Sequence, residues 1–132
     1  MMASIRFVAP LIAVAVLAAC GANASNAQLD LSPTGEEGRE IANSNGCAAC
    51  HGSDGAGNIG PPFVGLFGSE VELENGETVV ADRDYLTESI VEPDAAMVAG
   101  YRLPMPTNNL SPEEVEAVVA YIVDLAVPGT GG

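Results

Sequence analysis

Residues 47–51 read Cys-Ala-Ala-Cys-His. Cys-x-x-Cys-His is the attachment signal for a c-type haem. Two cysteines three apart on a helical turn share one face, so both thiols can add to the two vinyl groups of one porphyrin. His51 follows Cys50 directly and falls beneath the ring, where its imidazole can ligate iron. Other uses of Cys-x-x-Cys fit less well. A thioredoxin-like pair follows a strand in a βαβ unit, whereas the residues before Cys47 read as helix. Structural zinc needs four protein ligands, and the chain has three cysteines and one histidine, of which Cys20 is committed to the signal segment. A Cys47–Cys50 disulfide leaves His51 unexplained.

Working outward from the motif, residues 1–19 read as a signal peptide. Arg6 is followed by an apolar run from Phe7 to Ala19, broken only by Pro10. That is the length of a signal h-region and too short to span a membrane. The run ends Leu17-Ala18-Ala19-Cys20, which resembles the bacterial lipoprotein signal. The resemblance implies that Cys20 is lipidated and anchors the chain to a membrane from the periplasmic or extracytoplasmic side. Ordinary cleavage, giving a soluble periplasmic protein, is the alternative, with small-x-small sites at Ala22-Asn23-Ala24 and Ser25-Asn26-Ala27. With Cys20 taking lipid and Cys47 and Cys50 taking haem, no thiol remains for a disulfide. Residues 20–34 are small and polar without periodicity and read as a flexible tether. Residues 35–127 then form one small domain, and 128–132 a short disordered tail. A domain of this size with no tryptophan has little apolar area of its own, so a central haem supplies contact that side chains do not.

The chain carries 18 acidic residues against 4 basic ones, a formal net charge of −14, and no lysine. Phosphate binding needs basic groups, which excludes nucleic acid as a partner. The acidity serves solubility or adaptation to a saline setting, or it steers the protein to a basic docking face; both readings stand at this point.

The local signals are mostly helical. Ser32 and Pro33 start a helix over about 34–46, with Glu36 and Glu37 at its positive end. The glycine-rich segment 52–68, with Pro61 and Pro62, reads as a long loop of the kind that wraps something. Val71, Leu73, Asn75-Gly76 and Thr78-Val79-Val80 predict a hairpin over about 70–81 with a type I′ turn. Asp82 caps and Pro93 stops a helix over 83–92. Ser111-Pro112-Glu113-Glu114 is a capping box, and Val115, Val118, Val119 and Ile122 form one apolar stripe behind it.

His51 is the sole histidine, so the opposite axial position needs another soft ligand, and methionine is what remains. Met1 and Met2 go with the signal. Met105 lies between Pro104 and Pro106, which stiffen its loop; Met97 reads as ordinary apolar packing. Arg83, Tyr85, Arg102, Asn108 and Asn109 are surface or capping residues that could also reach haem propionates or brace the methionine loop.

Taken together, Gly38, Asn45-Gly46-Cys47-Ala48-Ala49-Cys50-His51-Gly52, Gly60-Pro61-Pro62-Phe63, Met105-Pro106 and Ala120-Tyr121 resemble the class I cytochromes c. The resemblance implies a mainly α, cytochrome c-like fold of three to five helices around one covalent haem c, with the small hairpin near 70–81. It also implies that the Pro61 carbonyl accepts a hydrogen bond from His51, and that the first and last helices cross at Gly38 and Tyr121. Residues 63–125 are most similar to the haem domain fused to some oxidase subunit II proteins, without their copper domain. The implied function is single-electron transfer, not enzymatic catalysis, with a terminal oxidase, quinol oxidoreductase or dehydrogenase as partner. The alternatives are a subunit of a larger oxidase or dehydrogenase complex, or a haem peroxidase or ligand-binding protein.

Overall fold

The computed structural model describes residues 30–126. The signal, Cys20, most of the tether and the tail lie outside the described residues. The order is α1 (Pro33–Ser44), α2 (Cys47–His51), β1 (Glu70–Glu72), β2 (Thr78–Val80), α3 (Arg83–Val91) and α4 (Pro112–Asp124). The mainly helical fold with one small hairpin is the expected one.

Helices α1, α3 and α4 begin where a side chain replaces the missing backbone acceptor. The Ser32 hydroxyl accepts from Gly35 N, the Asp82 carboxylate from Tyr85 N, and Ser111 and Glu114 form a reciprocal capping box. Helix α1 stops at Ser44, short of the expected 46, because Gly46 takes φ +83° and turns the chain into α2. Leu31 packs on the core and Ser32 caps α1. The folded part therefore reaches into the end of the segment expected to be tether.

Helices α1 and α4 cross in close contact. Gly35, Gly38 and Ala42 are the buried residues of α1. A Cβ on Gly38 would overlap the Ala117 carbonyl and lie 2.9 Å from Val118 N; only glycine permits this approach. The close approach is thus to Ala117, one turn before Tyr121. At the end of the crossing the Asp124 carboxylate accepts from Ser32 N at 2.8 Å and from its hydroxyl at 2.6 Å. The four predicted stripe residues of α4 are all buried, and so are Ala117, Ala120 and Tyr121. Helix α4 is covered on more than one side, since α1 and α3 both pack against it.

The hairpin pairs Glu70 with Val80, Val71 with Val79 and Glu72 with Thr78. Its turn is not type I′. Gly76 has φ +84°, but Asn75 does not enter the left-handed region. Gly76 N donates to Leu73 O and Leu73 N to Glu77 O. This is a three-residue loop with glycine in the left-handed position. The extra residue sets the register that buries Val71 and Leu73 with Ala81 in a second small cluster. Leu73 also bridges to Val98.

Candidate functional site

A cavity of about 490 Å³ opens between α2, the loop after it, α3, α4 and residues 96–110. That volume lies within the roughly 300–1,000 Å³ typical of small-molecule and cofactor sites. Cys47, Cys50 and His51 line it together. One short helical turn therefore presents two free thiols and an imidazole to the same space. Burial pushes the Cys47 thiol up from its ordinary value, so it stays protonated at neutral pH.

His51 is 7% exposed. Its Nδ1 lies 2.7 Å from the Pro61 carbonyl oxygen. A carbonyl only accepts, so Nδ1 carries the proton and donates it there. Burial lowers the imidazole pKa, partly offset by that bond, so the ring is neutral at pH 7 and Nε2 keeps a lone pair. The Phe63 ring stacks on the imidazole, with centroids 4.4 Å apart and planes 17° apart. Phe63 in turn meets Tyr121 edge-on at 6.2 Å.

The glycine-rich loop wraps this histidine. Gly57 N donates to His51 O at 2.8 Å and Gly60 N to Cys50 O at 2.9 Å. A Cβ on Gly60 would stand 3.1 Å from His51 Cε1, so the loop lies directly against the ring. Ser89 Oγ on the α3 wall is buried without a hydrogen-bond partner. Two thiols, a neutral imidazole, two methionines and a mostly apolar lining suit covalent haem better than any other cofactor.

The family model for cytochrome c matches residues 35–126. The chain belongs to the cytochrome c family. Among curated proteins no match to it is found. Cytochromes c bind haem c covalently, and the single Cys47-Ala48-Ala49-Cys50-His51 motif fits that cofactor. Domains of this family are typically electron carriers outside the cytoplasm. No helix among the described residues is long and apolar enough to cross a membrane.

In this cytochrome Met105 lines the cavity with His51, Cys47, Cys50 and Pro61. Met97 lines it too. Its carbonyl accepts from Glu74 N, which attaches it to the hairpin. Asn108 braces the methionine loop: its side-chain amide donates to Ile90 O at 2.7 Å, and its oxygen accepts from Leu110 N. Tyr85 lines the cavity, and burial raises its pKa. Arg83 pairs with Glu116 at 2.9 Å, away from the cavity. Arg102 and Asn109 are exposed and do not line it. Sequence reasoning assigned no role to Phe63, although it stands in the Gly60-Pro61-Pro62-Phe63 run, and none to Ser89.

Proposed function

We propose that this cytochrome carries single electrons between respiratory proteins, with its iron held between His51 and Met105 and its chain tethered to a membrane through lipidated Cys20. The observation that carries the reading is the shared cavity: the chain's only histidine and both motif cysteines face the same space as Met105. Covalent haem c supplies an iron that alternates between the ferrous and ferric forms. Cys47 and Cys50 fasten it, and His51 meets the iron through Nε2 with its orientation held by the Pro61 carbonyl. Met105 supplies a soft sulfur from the other side, on a loop stiffened by Pro104, Pro106 and the Asn108 bond to α3. Leu86, Ile90, Val118 and Ile122 exclude water from the interior, which favours the lower charge of the ferrous state. With His51 and Met105 both holding the iron, no position on it would be left for substrate.

A terminal oxidase, quinol oxidoreductase or dehydrogenase is the proposed partner, either as a docking target or as the complex of which this domain is a subunit. Met105→Ala tests the ligand assignment. It should abolish the weak long-wavelength sulfur-to-iron absorption band and lower the reduction potential, while Met97→Ala keeps both. An unchanged spectrum in Met105→Ala refutes the assignment. Cys20→Ser tests the tether, since the protein should then leave the membrane fraction.

A further inference from the structure

The methionine not assigned to the iron stands between two cavities. A second cavity of about 240 Å³ adjoins the haem cavity, and Ala96 and Met97 line both. The two differ in chemistry. Leu86, Ile90, Val118 and Ile122 line the haem cavity, whereas the exposed Glu74, Asn75 and Asp94 line the second. The second therefore offers polar partners and room for several waters. Met97 is half-buried, and its backbone is fixed. Its carbonyl accepts from Glu74 N at 2.9 Å, Ala99 N donates to Glu72 O at 2.9 Å, and Val98 bridges to Leu73 between them. The side chain is unbranched with three rotatable bonds, so the thioether can shift from one cavity to the other while the wall stays in place.

We infer that Met97 is a modification site for small, neutral hydroperoxides, and that its sulfoxide lowers the potential of the haem. The inference rests on the reading in which Met105 holds the iron. A sulfur lone pair given to iron is not free to attack, which leaves Met97 as the one methionine among the described residues with a fully available sulfur. The polar cavity admits a molecule of water's polarity, and Glu74 and Asp94 repel anionic oxidants. The Met97 sulfur attacks one peroxide oxygen. The S–O bond forms as the O–O bond breaks, and sulfur gives up two electrons. The departing hydroxide takes the proton of the transferred oxygen and leaves as water. The product is a polar, chiral side chain on the wall of a mostly apolar cavity. It keeps its hydration, and water held at that wall favours the ferric charge over the ferrous one. Sulfoxide reductases reverse the change, so the effect is a switch.

The test is treatment of the haem-loaded protein with hydrogen peroxide, followed by peptide mass spectrometry, absorption and redox titration. Met97 should gain one oxygen about tenfold faster than Met105. The long-wavelength sulfur-to-iron band should stay. The equilibrium constant for reduction should fall about threefold, equivalent to roughly 30 mV at ~59 mV per tenfold for one electron. Met97→Gln, a polar side chain of similar length, should show that fall without peroxide. Met97→Leu, close in volume and with no sulfur to oxidise, should keep the same potential before and after treatment. No oxygen on Met97, or an equal gain at Met105, overturns the inference. So does an unchanged potential in both the oxidised protein and Met97→Gln, or a fall of equal size in peroxide-treated Met97→Leu. Loss of the band with oxygen on Met97 alone refutes instead the assignment of Met105 to the iron, since Met97 would then be the ligand.

Discussion

Denied its haem, the domain should not hold its fold. The perturbation is Cys47→Ala/Cys50→Ala, purified free of haem, which leaves the cavity to be filled by nothing the chain possesses. The space of about 490 Å³ is open to solvent and lined mostly by apolar side chains, so without haem its wall faces water at a cost of about 25 cal/mol per Å², which amounts to several kcal/mol. A domain of this size has a total stability of roughly 5–15 kcal/mol. Collapse of the wall recovers part of the cost but breaks the native contacts of α3 and the 96–110 segment. The helix caps at Ser32, Asp82 and Ser111 are local and survive as fluctuating helix, whereas the α1–α4 crossing does not. The expected state has substantial far-ultraviolet helical signal and no fixed tertiary environment for Tyr85, Tyr101 and Tyr121. Near-ultraviolet circular dichroism and urea titration measure this directly. A native-like near-ultraviolet spectrum with a sharp urea transition would falsify the reasoning.

Other expectations concern the frame. Gly38→Ala in the haem-loaded protein should lower the melting temperature by about 10 °C: forcing α1 off Ala117 costs ~1–3 kcal/mol, more than the 0.5–1 kcal/mol gained in helix propensity, and each kcal/mol is worth ~4–8 °C. An unchanged or raised midpoint would show that the crossing yields freely. Tyr121→Phe should raise the midpoint by several degrees, since the Tyr121 hydroxyl is buried without a partner and such a group costs ~1–3 kcal/mol; a lower midpoint would mean the hydroxyl is satisfied in solution. Ser111→Ala removes the hydroxyl that accepts from Glu114 N but keeps the bond from Ser111 N to the Glu114 carboxylate, and should cost about 1 kcal/mol in a urea titration, with no change in the haem spectrum.

What could be read in the sequence was whatever is encoded within a few residues. The capping box at Ser111 and the caps at Ser32 and Asp82 are written in adjacent side chains, so the helices fell close to their expected bounds. The motif at 47–51 is equally local, and it placed the thiols and the imidazole on one turn. The hairpin turn was misread because Asn75-Gly76 suits two loop lengths. The choice is made by the burial of Val71 and Leu73 and by the Leu73–Val98 bridge, which no local pattern contains. The same holds for Asn108 and Ile90: they are distant along the chain, and an asparagine after a proline-rich loop signals a turn as readily as a brace. Phe63 stood in plain view, but a ring partner for His51 becomes visible only once the loop has folded back.

Phe63 has a further consequence. One of its neighbours is His51, and another is Tyr121 on α4, one turn after the Ala117 that meets Gly38. A single ring therefore separates the imidazole proposed to hold the iron from the helix that crosses α1. The packing of that helix and the setting of the imidazole share a part and cannot be tuned apart. A lineage adapting this protein to a warmer habitat by repacking the crossing would also disturb the imidazole, and with it the voltage at which electrons enter and leave.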